Sequence, residues 1–174
     1  LHKHLKFKPE VEVTQFLGMT FRWVTEGDHN LVYISHEDYC DLIVKTYKEQ
    51  YRQEPRSSPT PCDTSEKLNP EANERTEPEK RVQKMLGMLL WLARSSRHDV
   101  AYATGMLMSM VHRWDTTCEK ALNRLVGYIL RTKKTEMRLF CHKDQKWKHL
   151  EVLTWADSSL EVPKSVQSYC TVLC

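Results

Sequence analysis

Residues 11–24, VEVTQFLGMTFRWV, are rich in β-branched and aromatic side chains and predict one long strand. The polar run EGDHN at 26–30 reads as a turn, and LVYIS as the return strand, so the first element is a β-hairpin. From Ser35 the apolar period changes. Tyr39, Leu42, Ile43, Thr46 and Tyr47 recur on one face of a predicted helix, and Ser35 with Asp38 has capping-box-like spacing. Residues 53–75 then carry four prolines and almost no large apolar side chains, which predicts a linker or an extended crossing loop.

A strongly helical block follows. Thr76 and Glu79 form a capping box with Pro78 in the first turn, and Val82, Met85, Leu86, Leu89, Leu90 and Leu92 make a wide apolar face. A second helix, capped by Asp99, turns Val100, Ala103, Met106, Leu107 and Met110 inward. A third follows HRWD, with Leu122, Leu125, Val126, Ile129 and Leu130 inward. Short connections imply an antiparallel three-helix cluster. Met85, Met88, Met106, Met108 and Met110 admit an adaptable binding surface, but their helical spacing favours core packing. After Met137 the segments MRLFC, EVLTWA and SVQSYCTVL predict three strands that begin another sheet. The expected fold class is α+β. Its expected division is a hairpin plus helix over 1–52, a linker over 53–75, helices over 76–134 and a strand-rich start over 135–174.

Composition narrows the function classes. A hydrophobic content of 40% fits a globular protein rather than a disordered one. No apolar stretch approaches the roughly 20 residues that span a bilayer, which predicts no membrane partner. Six scattered cysteines without a C-x-x-C pair predict reduced thiols and a cytoplasmic or nuclear location. Charge is uneven: residues 131–150 hold seven Lys/Arg against two Asp/Glu, with Phe140 and Trp147 among them. Such a segment is a candidate phosphate-binding stretch or simply a solvated basic face, and Arg131, Lys133, Lys134, Lys146 and Lys148 are its candidate nucleic-acid contacts.

Several chemistries are absent from the pattern. With five glycines and no G-x-G-x-x-G or G-x-S-x-G, Gly-rich phosphate cradles are excluded and no nucleophile elbow is present. No H-E-x-x-H or Cys/His ladder points to zinc. Two-metal phosphoryl chemistry needs several converging carboxylates, yet no Asp-Asp pair occurs. One acid stands out: Asp157 follows the apolar run of a predicted strand in VLTWADSS. It reads either as a catalytic carboxylate or as a strand-end residue that turns the chain.

The order of motifs carries more than any one of them. QFLGMTFRW, VYISHEDYCDLIVKTY, SPTPCD, VQKMLGMLLWLARSSRHDVAYATGMLMSMV, EKALNRLVGYILRTKKTEMRLFC and VLTWADSSLEVPKSVQSYCTVL together resemble the copia-type retrotransposon Pol polyprotein. The resembling part follows the reverse-transcriptase active site and runs into ribonuclease H. The resemblance implies a hairpin from the end of a polymerase palm, a helical thumb and connection, and the first strands of an incomplete ribonuclease H-like sheet. It implies an RNA–DNA or DNA template–primer duplex and the rest of the polyprotein as partners, with Mg²⁺ as cofactor of the intact parent enzyme. Asp157 matches the first metal-binding Asp of ribonuclease H, and Arg97-His98-Asp99 stands where the family has Arg-Pro-Asp before a helix. Departures are also present: the family's Asp-Ala-Asp-Trp is Asp157-Ser158-Ser159-Leu160 here, and the polymerase Tyr-x-Asp-Asp box is missing. The chain is therefore expected to be a fragment that binds template–primer and is inactive alone. The alternative is a non-enzymatic nucleic-acid-binding or protein-interaction module derived from a decayed element.

Overall fold

The computed structural model describes residues 13–63, 68 and 79–145 with their side chains, and the backbone of 152–159 and 166–173. The fold is α+β, as expected. Its elements are β1 (Gln15–Phe16), β2 (Met19–Glu26), β3 (His29–Ser35), α1 (Glu37–Tyr51), α2 (Lys80–Ser95), α3 (Ala101–Ser109), α4 (Thr116–Thr132), β4 (Met137–His142), β5 (Val152–Ser159) and β6 (Val166–Leu173). The described residues fall in two compact units, one built from residues up to Trp23 plus Val32–Leu139, the other from Val24–Leu31 plus Phe140 onward.

The predicted long strand over 11–24 is broken by a turn. Phe16 pairs with Met19 across a two-residue loop, with Leu17 at φ 50° and Gly18 at φ 80°. Positive φ at both loop positions gives a turn whose twist matches paired strands, and Gly18 adopts it without steric cost. The strand signal of residues 11–24 therefore held a hairpin of its own. The turn predicted over EGDHN is tighter than expected: only Gly27, at φ 53°, and Asp28 form it, while Glu26 ends β2 and His29 and Asn30 begin β3.

Sheet order is β1-β2-β3-β4, while β5 and β6 form a separate two-stranded antiparallel pair. All three C-terminal strands exist, but they do not share one sheet as expected. β4, the first of the three, extends the N-terminal sheet beside β3 instead.

The first unit is centred on a helical cluster of four members rather than three. α1 packs on both α2 and α4, α2 on α3, and α3 on α4. Its core holds Ile43, Val82, Met85, Leu89, Leu92, Leu107, Leu122, Leu125, Val126 and Ile129, all essentially without solvent contact. Each such side chain contributes about 1.5–3 kcal/mol by leaving water. The expectation of core packing for the methionines holds only in part, with Met88 and Met106 half-buried. Met85 and Met110 are core, whereas Met108 is exposed.

Several helix-boundary expectations need correction. Helix α1 begins one residue after the expected start: His36 is its N-cap, and Ser35 Oγ accepts the Glu37 N–H at 3.3 Å. Leu42 points outward, and Cys40 and Val44 take the inward positions instead. Helix α2 begins at Lys80 with Glu79 as an extended N-cap, so Glu79 cannot be the inner member of a capping box, and Thr76 and Pro78 lie outside the described residues. Asp99 sits in a short 3₁₀ turn ahead of α3 and spends its carboxylate on Arg97 rather than on a cap. In α4 a side-chain cap is formed, with Asp115 Oδ1 accepting the Cys118 N–H at 2.8 Å. Losing such a cap costs about 1 kcal/mol.

Candidate functional site

Helix α4 positions most of the chemistry-bearing groups. Its buried face is apolar except at Asn123 and Gly127, four residues apart and so one above the other on the helix. Both serve the proline-rich segment. Of the two readings of 53–75, the described part, 53–63, is the crossing loop: it is laid onto α4 as a strap. Asn123 Oδ1 accepts the Arg56 N–H at 2.9 Å, while its Nδ2 donates to Tyr47 Oη at 2.9 Å and to the Glu54 carbonyl at 3.3 Å. A Cβ on Gly127 would stand 1.8 Å from the Arg56 carbonyl oxygen. The absence of a side chain there lets the strap approach the helix backbone.

Beside the strap lies a groove of about 480 Å³, lined by Gln53, Arg56, Ser57, Ser58 and Pro59 on one wall and by Glu119, Lys120, Asn123 and Arg124 of α4 on the other. Arg124 ties the walls together. It donates to Asp63 Oδ2 at 2.9 Å and reaches the Ser58 and Thr60 hydroxyls at 3.4 Å.

At its other end α4 is clasped by Arg97, whose side chain is only 2% exposed. The guanidinium forms a fork with Asp99, Nε to Oδ1 at 2.9 Å and Nη2 to Oδ2 at 2.7 Å. It also donates to the Thr132 carbonyl at 2.9 Å and to Thr132 Oγ1 at 2.7 Å, and Tyr128 Oη donates to Asp99 Oδ2 at 2.8 Å. Burial opposes the charge on both partners, yet their mutual hydrogen bonds outweigh it. Arg97 is held above its usual range, and Asp99 below the usual carboxylate range. The Arg-x-Asp spacing was visible in the sequence. Its burial was not, because a charged residue outside an apolar stripe reads as surface.

Next to the clasp, His36 packs its ring against the end of α2, with Nδ1 2.6 Å from Ser96 Oγ. Its Nε2 has no hydrogen-bond partner among the described residues. Burial holds the imidazole below its ordinary pKa, only partly offset by the Leu17 backbone.

The sequence-predicted site residues are not brought together. Arg131 and Lys134 are exposed at the end of α4. Lys133 is already engaged, with Nζ 2.9 Å from both Asp41 oxygens and 3.6 Å from Glu37. Lys146 and Lys148 lie outside the described residues. Asp157 lies within β5, its backbone opposite Ser168 of β6, and its side chain is outside the described atoms. Among the described residues no three His, Cys, Asp or Glu side chains converge on a point. Cys40, Cys62, Cys118 and Cys141 are free, and burial pushes the Cys40 thiol up to about 11 and Cys118 up to about 12, which keeps both unreactive. No helix among the described residues is long and apolar enough to cross a membrane. No family model, no curated protein and no solved structure matches this chain.

Proposed function

We propose that the chain is the thumb-and-connection part of a copia-type retrotransposon reverse transcriptase leading into ribonuclease H, and that it holds template–primer rather than performing chemistry. The observation that carries the reading is the ordered series of six motifs, each falling on a distinct structural step: β1–β2, β3–α1, the strap, α2–α3, α4–β4 and β5–β6. The exposed cations Arg131 and Lys134, at the outer end of α4, supply a surface of the right sign for phosphate. Lys133, neutralised by Asp41 and Glu37, contributes less than the sequence suggests. In the parent enzyme Mg²⁺ would supply charge neutralisation for phosphoryl transfer, and Asp157 is the one residue of this chain that the resemblance assigns to it.

The test is titration of the purified chain with an RNA–DNA hybrid across salt concentrations. Binding should fade between low and moderate salt, and Arg131→Gln with Lys134→Gln should flatten the log–log salt slope by about 2. Primer extension and Mg²⁺-dependent hybrid cleavage should both be undetectable, and robust activity in either assay would overturn the binding-only role. Salt-insensitive or undetectable binding would instead support a protein-contact module, for which the exposed Trp91, Tyr102 and Met108 on α2 and α3 are the available anchors.

A further inference from the structure

The groove beside the strap is not used by the reading above, and its charges are unusually free. Arg56 on one wall and Lys120 on the other have no acidic partner among the described residues, and both are exposed. Arg124 stands four residues from Lys120, about 6 Å further along the same face of α4, with its charge shared with Asp63. Among the described residues the one lining carboxylate, Glu119, is already compensated: its Oε1 accepts from Trp114 Nε1 at 2.9 Å and from Arg81 at 3.3 Å.

The backbone that carries Arg56 is fixed. Its N–H is held by buried Asn123 and its carbonyl is seated against Gly127, so the guanidinium starts from a preset position rather than from a free loop. Two exposed cations without an acidic partner among the described residues, Arg56 from the strap and Lys120 from α4, thus share one groove lining with Arg124 and the strap serines.

We propose that this groove binds a ligand carrying two or more linked phosphates. Its volume lies within the range of small-ligand sites. A guanidinium fork facing an ammonium point charge suits tetrahedral oxyanions in sequence. The site is separate from the cations at the end of α4, and the proposal does not depend on the chain's parentage.

Calorimetric titration of the intact chain with sodium tripolyphosphate, and separately with a nucleoside triphosphate, tests it. Saturable one-to-one binding is expected with at least one of them, weakened about tenfold or more in Arg56→Gln/Lys120→Gln. Tighter binding of the nucleoside triphosphate identifies a nucleotide as the source, and equal binding identifies the phosphate chain alone. Asn123→Ala, which releases the strap while keeping every charge, should also weaken binding. Arg131→Gln/Lys134→Gln should not. The proposal is overturned by an absence of saturation with both ligands, or by unchanged affinity in the Arg56/Lys120 variant. It is equally overturned if a poly-glutamate peptide of matched charge displaces tripolyphosphate and binds more tightly.

Discussion

The two attachments of α4 work by opposite means. Toward its middle, the strap is held by a neutral amide, Asn123, and by the missing Cβ of Gly127. At its C-terminal end the grip is a buried guanidinium, Arg97, shared between Asp99 and Thr132. The first is chiefly a contact of shape, with one part-exposed ion pair, Arg124–Asp63, at its edge. The second depends on one carboxylate staying ionised to balance a cation withdrawn from water. Close packing and paired charge thus secure the same helix at two points, and they should fail under different conditions.

Three experiments can break or sharpen that contrast. The largest effect is expected from Asp99→Ala, which leaves Arg97 buried without its counter-charge and Tyr128 Oη without its acceptor. Removing one partner of a buried pair costs about 3–5 kcal/mol, and the low end applies because Asp99 is 37% exposed. Urea unfolding should show it as a lower midpoint; an unchanged midpoint would mean the clasp is dispensable. Gly127→Ala comes next, at about 2 kcal/mol, because its methyl meets the Arg56 backbone and either the strap or the helix must shift. A smaller loss would show that the strap yields easily, and its position would then not be fixed by contact.

The finest distinction is in pH dependence. Asp99 has a folded pKa below its unfolded value of about 3.9, so its stabilisation is complete above that pH and is lost as pH falls through the folded value. The stability gap between the wild-type chain and Asp99→Asn should therefore narrow as pH drops below about 4. The gap for Gly127→Ala should change less over the same range, because the strap's main holds, Asn123 and the Gly127 contact, carry no charge. If both gaps move together, the separation of shape from charge does not hold.

The sequence revealed the two fastenings unequally. Helical stripes such as Leu122, Leu125, Val126 and Ile129 were legible because burial of one face imposes a 3.6-residue period. Asn123 and Gly127 lie beside that stripe, where a polar residue and a glycine look like ordinary interruptions; only the strap explains them. The break at Leu17-Gly18 was hidden because a two-residue turn leaves the flanking strand composition intact. The pairing of β4 with β3 was hidden for another reason. A strand's pattern reports that it pairs, but not with which neighbour. The basic run at 131–150 announced charge correctly, yet it could not show that Lys133 is taken by Asp41.

The Arg97 clasp has a further electrostatic consequence. The aligned peptide dipoles of a helix leave roughly half a negative charge on its last carbonyls. In α4 one of those carbonyls, that of Thr132, faces a buried cation instead of solvent. The helix end is therefore electrically muted, and the exposed Arg131 and Lys134 present their positive potential with less opposition from the backbone beneath them.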